Sequence, residues 1–458
     1  MIVNNKKLNS NKFLLYSSIL GQLATIAFTP FITRFEAKSE IGMYAIFFSC
    51  IAIYSLVGAF RIELGFVQHK NSSKSDKINL ASVIFSLIIV TSIITTLIIQ
   101  LIYEDFVFSC LAFMGCVLTV ISITLTYWAI AENEIKDIVF FRFSKPILIV
   151  VFQLYFILNN TEMALIIGYN LGIFTALLFF TKKIVQVRIP KLPIFISNLR
   201  ENINFIKFST PSDFLSSLGT QLPTFVFERF YGLEYSASYL YTQRLVISPF
   251  AMITESLSKT YFQLYSHKKD FSDFASKILS LQIKFYILVF GVIVLFDDLI
   301  VSLLFGNNWE EMGFLIKGSF FWVFSLFISV PILSLLSITK QQKIDFKFQI
   351  TLFVFRSLAL SLIYFTNSFN LIFITFCLAS GLPYLLFLRK SLNILSLKIS
   401  PGELVSFEDI INLVFFLIIE FIMQDNINLF AYYVLIVFFI LIQLFRIYKR
   451  FTKLDMDI

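Results

Sequence analysis

Charged side chains inside long apolar segments are the residues of this sequence whose types could do chemistry. They are Asp213, Arg244, Glu255, Lys317 and Arg356. A charge in the hydrocarbon core of a bilayer is costly unless it is paired or hydrated, so it usually marks a binding site or an ion pathway. Guanidinium and ammonium groups bind anions, whereas carboxylates either pair with them or carry H⁺ or Na⁺.

The spacing of Arg244 and Glu255 is close to three helical turns, which predicts that both lie on one face of a helix. Arg61 and Arg229 stand nearer to the ends of their apolar segments. There, interhelical ion pairs or snorkelling to the membrane surface explain a charge as well as a binding site does. Both interpretations stay open for these residues. Asp213 and Glu255 are the candidates for ion coupling.

The residues that enzymes commonly use in catalysis occur in this sequence without the partners that catalysis requires. The two histidines, His69 and His267, fall in predicted cytoplasmic loops and have no metal-ligand partner at helical spacing. The four cysteines lie in apolar segments without a Cys-x-x-Cys pair. No Gly-x-x-x-x-Gly-Lys phosphate loop occurs. The sequence therefore predicts a protein that is not an enzyme, with no metal site and no cofactor beyond a coupled H⁺ or Na⁺.

Apolar segments dominate the elements that must position the charged residues. The 458-residue chain is 58% hydrophobic and only 14% charged, which is too apolar for a soluble domain of this length. About fourteen segments approach the ~20 residues that are needed to cross a bilayer. The sequence thus predicts an all-α, polytopic membrane protein with about fourteen transmembrane helices. The predicted helices cover Phe13–Phe31, Ile41–Phe60, Leu80–Ile102, Phe106–Ile130, Phe140–Leu158, Met163–Phe180, Phe208–Phe227, Ser236–Phe262, Ile283–Leu304, Met312–Ile338, Phe348–Tyr364, Leu371–Leu388, Ile410–Met423 and Leu429–Ile447.

Most of the 37 Lys and Arg residues fall in every second gap between these helices. Cytoplasmic loops retain Lys and Arg, so the pattern predicts an inner-membrane protein with both termini in the cytoplasm. The net charge of +8 reflects this bias and favours contact with anionic membrane lipids. No basic stripe with interleaved aromatic residues lies outside the apolar segments, so nucleic-acid binding is not indicated.

The chain also contains an internal repeat. Asn9–Tyr44 aligns with Asn204–Tyr239 without gaps, and the Lys-Phe and Arg-Phe pairs that flank the first helix recur around the seventh. Both copies begin on the cytoplasmic side, so the repeat is parallel, as in many secondary transporters. We therefore predict two pseudo-symmetric six-helix lobes, 1–206 and 207–388, followed by two additional C-terminal helices in 389–458.

Several short motifs resemble those of bacterial oligosaccharide flippases. They are Thr33-Arg34-Phe35, Ile41-Gly42-Met43-Tyr44-Ala45, Phe60-Arg61-Ile62-Glu63, Gln221-Leu222-Pro223, Arg244-Leu245 with Pro249, Leu304-Phe305-Gly306 with Trp309, and Pro331-Ile332-Leu333. The resemblance covers most of the chain and is thinnest after Leu388. It implies the fold of the multidrug/oligosaccharidyl-lipid/polysaccharide exporter superfamily, with the two lobes arranged in a V.

The resemblance also implies an activity. Flippases of the O-antigen type move undecaprenyl-diphosphate-linked oligosaccharides from the cytoplasmic to the outer leaflet for O-antigen or capsule synthesis. The expected partners are this lipid-linked substrate, membrane lipids, a polysaccharide polymerase and a chain-length regulator. The residues expected to meet the diphosphate or acidic sugars in a cationic cavity are Arg34, Arg61, Arg229, Arg244, Lys317 and Arg356. Family motifs support the first two and Arg244, whereas charge and depth alone support the others.

Two alternative functions remain. A membrane glycan polymerase would normally carry a large extracytoplasmic loop, and the predicted loops on that side are short. A drug/cation antiporter of the same superfamily would favour acidic rather than basic groups within its helices. The sequence does not indicate which oligosaccharide is carried, which ion is coupled, or what the oligomeric state is.

Overall fold

The computed structural model describes residues 21–397 except 22–23, 26, 69–71, 266–270, 307, 310 and 338–341. The two predicted C-terminal helices, most of the first predicted helix, and both histidines lie outside the described residues. Within the described part the chain is helical, and no β-strand occurs there. The predicted all-α, polytopic membrane fold is confirmed.

The helices of the first half follow one another through short connections. They are α1 (the described residues of 21–35), α2 (Lys38–Val57), α3 (Lys74–Tyr103), α4 (Phe106–Ala131), α5 (Ile135–Leu158), α6 (Ala164–Ile184), α7 (Leu192–Glu201), α8 (Thr210–Tyr231) and α9 (Leu233–Thr242). A π-helical turn, Gln243–Ile247, leads from α9 into the second half.

The second half continues with α10 (Ser248–Tyr265), α11 (Phe271–Leu295), α12 (Asp297–Leu304), α13 (Glu311–Leu336), α14 (Ile344–Tyr364) and α15 (Phe369–Ile394). Among the described residues, nine helices are long and apolar enough to cross a membrane. They correspond to predicted helices 2 to 6 and 9 to 12. Predicted helices 7 and 8 are also helical, as α8 and as α9 with α10, but they are richer in polar residues.

Local sequence signals explain where several helices begin. Ser73 and Asp76 form a capping box at the start of α3, in which each side chain accepts a hydrogen bond from the other residue's backbone N–H. Asp105 accepts a hydrogen bond from Phe108 N and caps α4. Only Glu104 and Asp105 separate α3 from α4, so the two helices are forced to run antiparallel as neighbours.

The chain divides into two compact units, one ending at Leu240 and the other beginning at Tyr241, within α9. In the first unit, α8 packs along α2, where Ser49 Oγ donates a 3.0 Å hydrogen bond to Gln221 Oε1. Gly42 of α2 makes this region compact, because a Cβ there would lie 2.1 Å from Leu233 O. The predicted lobe boundary between residues 206 and 207 stays a prediction.

Glycines allow the closest helix pair of the first unit. Gly168 and Gly172 of α6 face the backbone of Gln153 and Ile149 in α5, at distances that leave no room for a Cβ. Small residues at such crossings are how membrane helices approach each other without a hydrophobic driving force. This pairing fixes α5, which carries part of the candidate site.

Aromatic side chains fill the core of the second unit. Tyr286 of α11 is buried and donates a 2.8 Å hydrogen bond to Phe320 O. Its ring packs against Phe250, Phe324 and Phe327. Such ring clusters bury a large apolar area while the phenol finds a partner.

Candidate functional site

A cavity of about 550 Å³ lies within the first unit, between α1, α4 and α5. Its lining combines two cations with hydroxyl groups and an aromatic ring. The lining residues are Gly21, Thr25, Ser122, Ile123, Thr126, Tyr127, Ile130, Phe141, Arg142, Lys145 and Pro146. Because these helices are apolar enough to cross a membrane, a cavity with this lining places polar groups beside apolar surroundings.

Lys145 is the most deeply placed cation of the cavity. It lies ten residues after Ile135, or about 15 Å along α5. Its ammonium Nζ donates a hydrogen bond of 3.4 Å to Ser122 Oγ on α4 and lies 5.9 Å from the centre of the Phe141 ring. One hydroxyl cannot satisfy the three N–H groups of an ammonium. The remaining donors suit a ligand in the cavity.

Arg142 stands one turn before Lys145, so the two cations lie on the same side of α5. Across from them, Ser122 and Thr126 are one turn apart on α4, and the Thr126 hydroxyl donates a hydrogen bond to the Ser122 carbonyl. Close packing of α1 shapes the opposite wall, because Gly21 approaches the Pro146 ring. The cavity therefore offers two positive charges beside several hydroxyl groups, a surface suited to an anionic, hydroxyl-rich molecule.

A second group of charges lies on the turn after α2. Phe60 and Arg61 both adopt left-handed backbone conformations, with φ of 50° and 57°. Such conformations are uncommon for residues with bulky side chains and mark functional sites when surrounding contacts hold them. The turn directs Arg61 towards α8, where its Nε lies 2.6 Å from Asp213 Oδ2. Its Nη1 lies 3.5 Å from Glu63 Oε1.

Tyr127 connects the cavity to this ion-paired group. Its ring lines the cavity, and its phenol interacts electrostatically with four charged residues, namely Arg61, Glu63, Arg142 and Asp213. The two groups therefore form one continuous polar region within the first unit. Of the predicted site residues, the structure brings together Arg61 and Asp213 in this region.

A buried ion network ties the ends of α4 and α6 together. The Lys183 ammonium is 6% exposed and pairs with Glu132, to which it donates a very short hydrogen bond, and with Glu134 at 3.0 Å. It also lies 4.8 Å from the Trp128 ring, whose Nε1 donates a hydrogen bond to Glu132. Burial disfavours the charge of Glu132, but the bonds from Lys183 and Trp128 outweigh it and lower the pKa of this carboxyl.

The network also supports the turn that carries Arg61. Trp128 stacks on Phe66 with ring planes 8° apart, and both side chains are buried. Phe66 follows Glu63 by three residues in the same connection. The backbone of the Arg61 turn is thus held against the end of α4.

The predicted cations of the second unit occupy separate environments. Arg356 is 2% exposed, donates a 3.0 Å hydrogen bond to Ser380 Oγ, and faces the rings of Trp322 and Phe376. Lys317 pairs with Asp297 at 3.0 Å. Arg244 lies in the π turn with its guanidinium 6.0 Å from the Tyr241 ring.

Three further candidates lie at exposed positions. Arg34 and Arg229 are exposed near the ends of α1 and α8. The side chain of Glu255 is 71% exposed and pairs with Lys259, one turn further along α10. The π turn at Gln243–Ile247 interrupts the regular helical period between Arg244 and Glu255, and their position on one face stays a prediction. Among the described residues, no group of His, Cys, Asp and Glu side chains could hold a metal ion.

Sequence reasoning missed Arg142, Lys145 and Glu63 as site residues. The first two lie within the predicted fifth helix, Phe140–Leu158, but were counted with the basic residues of the cytoplasmic gap before it, and α5 begins earlier still, at Ile135. The signal that could have found them is the apolar run Ile138–Phe141, which already belongs to the helix.

Comparisons with known proteins agree with this architecture. The sequence profile of a family described as "Polysaccharide biosynthesis protein" matches residues 31–313. No curated protein matches the chain. A solved structure of the lipid II flippase MurJ in an inward closed conformation is similar with a TM-score of 0.68 and 14% identity, over 98% of both chains.

Two further solved structures belong to transporters. A multidrug resistance MATE family transporter of the MOP superfamily has a TM-score of 0.60 and 12% identity, over 83% of this chain and 94% of that one. A MOP superfamily transporter from Pyrococcus furiosus has a TM-score of 0.58 and 14% identity, over 87% and 96%. At these identities the similarity shows a common fold.

Proposed function

Because the chain belongs to the family of polysaccharide biosynthesis proteins, we propose that it is a flippase for undecaprenyl-diphosphate-linked oligosaccharides. It moves the repeat unit from the cytoplasmic to the outer leaflet of the inner membrane, where O-antigen or capsular polysaccharide is assembled. The membership and the shared fold with a lipid II flippase support the class of activity. The substrate and its direction of movement are the parts that are proposed.

The cavity of the first unit is the observation that carries the proposal. A lipid-linked oligosaccharide joins a charged diphosphate to a body of hydroxyl groups, and neither part can cross hydrocarbon unassisted. Arg142 and Lys145 match the first part, because cations bind phosphate oxygens by charge-assisted hydrogen bonds. Thr25, Ser122 and Thr126 match the second.

The mechanism follows from these two kinds of contact, cations with the diphosphate and hydroxyl groups with the sugars. The cations hold the diphosphate, the polyprenyl tail stays in the bilayer, and the protein alternates between states open to each leaflet. Arg61 is the next cation along the same polar region, and we include it in the substrate path together with Arg34, Arg229, Arg244, Lys317 and Arg356. Coupling to H⁺ or Na⁺ through a carboxylate supplies the energy. A polymerase and a chain-length regulator take over the product.

This function involves no covalent change in the substrate. The similar solved structures are those of a flippase and of transporters. The residues around the cavity can bind and orient a ligand through charges and hydroxyl groups. A transport role is therefore the simplest use of this chamber.

Deletion of the gene in its native host tests the proposal. We expect loss of surface polysaccharide, with lipid-linked repeat units accumulating in the cytoplasmic leaflet, and recovery when the intact gene is supplied. If single repeat units reach the outer face in the mutant but are not joined, the protein acts in polymerisation and the proposal is wrong. Unchanged surface polysaccharide with lost resistance to cationic drugs would instead identify an antiporter.

A further inference from the structure

The group around Arg61 contains more negative than positive charge, which disfavours the binding of an anion. The guanidinium lies between two carboxylates, with Asp213 at 2.6 Å and Glu63 at 3.5 Å. One positive and two negative charges leave the group with a net charge of −1 when both acids are ionised. A diphosphate approaching Arg61 would then meet more repulsion than attraction. Anion binding at this position therefore requires that one negative charge be removed.

Of the two acids, Glu63 is the one whose surroundings disfavour the ionised form. It is 1% exposed, and its Oε2 has no hydrogen-bond partner among the described residues. A buried carboxylate oxygen without a donor carries a large desolvation penalty. Asp213 differs, because about a third of its side chain is exposed and water can solvate it if it leaves Arg61.

The surroundings of Glu63 support this difference. It lies on the connection between α2 and α3, outside the membrane-spanning helices. Burial raises its pKa to about 7, because a hydrogen bond to its own backbone and the Arg61 guanidinium offset only part of the desolvation, and Asp213 adds to the rise. The other titratable group facing this site is Tyr127 on α4, which also interacts with Arg142 on α5.

We propose that an anionic headgroup binds Arg61 together with one proton, which Glu63 takes up as the headgroup displaces Asp213 from the guanidinium. This inference rests on the proposed flippase function, whose substrate supplies the anion. The proton comes from solvent and joins a carboxylate oxygen, so no bond of the substrate changes. After binding, Arg61 is paired with the ligand, Glu63 is neutral, and Asp213 is hydrated.

The same exchange has a thermodynamic consequence. Because anion binding and proton binding favour each other, each must strengthen the other by the same factor. Headgroup affinity is therefore expected to rise as the pH falls through the range in which free Glu63 titrates, and to level off once it is protonated. Asp213 competes with anionic ligands for the Arg61 guanidinium, which disfavours the binding of other anions there.

Calorimetry of the purified full chain in detergent tests the proposal with inorganic pyrophosphate as the probe. Titrations near pH 8 in buffers of different ionisation enthalpy count the protons taken up on binding. We expect about half to one proton per pyrophosphate for the wild type. Because pyrophosphate itself titrates in this range, Glu63→Gln should show less proton uptake than the wild type and keep only the pH dependence that comes from the probe. Asp213→Asn should bind about fivefold more tightly or better, because the competing carboxylate is gone.

Asp273→Asn is the matched control, because Asp273 forms an exposed ion pair with Lys277 far from the site in sequence. It should match the wild type in affinity and proton count. Pyrophosphate binding without proton uptake in the wild type would overturn this inference and leave the flippase function standing. Uptake in Glu63→Gln equal to that of the wild type would overturn the role of Glu63. If that variant does not fold, unchanged affinity in Asp213→Asn would overturn the displacement step. Absence of pyrophosphate binding from about pH 6 to about pH 8 would overturn both this inference and the cation assignment.

Discussion

At the scale of single residues, placing the Lys145 ammonium within a membrane helix costs free energy, and the same charge can bind an anionic ligand. An ammonium at this depth of a membrane helix is tolerated only with polar partners, and among the described residues its hydrogen-bond partner is the hydroxyl of Ser122. The remaining hydrogen-bonding capacity faces a cavity that also contains Arg142. A structural role alone would not require a second cation one turn away, where the two repel each other.

The substitution Lys145→Met tests this assignment. The thioether side chain keeps the volume and removes the charge, so we expect the apparent affinity for pyrophosphate to fall about tenfold or more while the protein still inserts. Lys145→Arg should recover much of the binding because it restores a cation. Binding is measured by calorimetry, and export by surface polysaccharide in cells.

Lys277→Met provides the matched control, because it removes a lysine from an exposed ion pair with Asp273. Surface pairs of this kind contribute little, so binding and export should equal those of the wild type. Wild-type affinity in Lys145→Met, with normal expression, would remove Lys145 from the binding site.

The candidate site was only partly predictable from sequence at this scale. Charge within apolar segments identified Arg61 and Asp213 separately, but their contact depends on two consecutive left-handed residues, Phe60 and Arg61, which no propensity favours. Glu63 looked like an ordinary helix-end charge because its burial arises from tertiary packing. Lys145 was missed because it was counted with the basic residues before the fifth helix, although α5 begins ten residues earlier, at Ile135.

At the scale of elements, the Lys183 network holds the C-terminal ends of α4 and α6 together. Lys183 and Glu132 are both partly or fully withdrawn from water, and Trp128 links them to Phe66. Removing one member of a buried ion pair leaves the other charge without compensation, which typically costs about 3–5 kcal/mol. The lower end applies here, because Glu132 and Glu134 keep some exposure.

The pH dependence of stability tests the network. The pKa of Glu132 is lowered below its ordinary value of 4.5, so its stabilisation is complete above that value and is lost as the pH falls below it. In Lys183→Met, Glu132 loses its cationic partner, so burial raises the pKa of this carboxyl. Protonation of Glu132 on acidification then removes the unpaired charge and should stabilise the variant. The measurement is the melting temperature of purified protein from about pH 7 to about pH 3.

The two proteins should therefore differ most at neutral pH and converge on acidification. Lys277→Met again serves as the control and should follow the wild type throughout. Parallel curves for Lys183→Met and the wild type would show that Glu132 is not held by Lys183.

Most elements were predictable because a long apolar segment has few alternatives to a membrane helix. The nine most apolar helices of the described part all coincide with predicted ones. The π turns at Phe205–Ser209 and Gln243–Ile247 were not predictable, since one extra residue in a helix leaves no clear mark on composition. The second of these turns contains Arg244 and precedes Glu255, where the prediction of a shared face assumed a regular helix.

At the scale of the whole molecule, the distribution of Lys and Arg predicts which connections face the cytoplasm. Two tight turns allow a matched test. Asn133 lies between α4 and α5, Asn160 lies between α5 and α6, and both are exposed with left-handed backbones of φ 58° and 50°. A cysteine should be tolerated equally well at both.

After replacement of the native cysteines, Asn160→Cys should react with a membrane-impermeant maleimide applied to intact spheroplasts. Asn133→Cys should react only after the membrane is opened, because the distribution of Lys and Arg predicts that it lies on the cytoplasmic side. Labelling is read by mass shift on a gel. The reverse pattern would invert the predicted orientation, and with it the proposed direction of substrate movement.

The hydrogen bond between Lys145 and Ser122 bears on how the protein is made. Their helices are joined by only three residues, Glu132 to Glu134, so the two segments can enter the bilayer as a hairpin. The Ser122 segment leaves the ribosome first, and its hydroxyl is in place when the ammonium must shed water. The ammonium therefore enters the bilayer with a hydrogen-bond partner already in place. The order of synthesis, as well as the needs of transport, thus determines where such a cation can lie in a membrane helix.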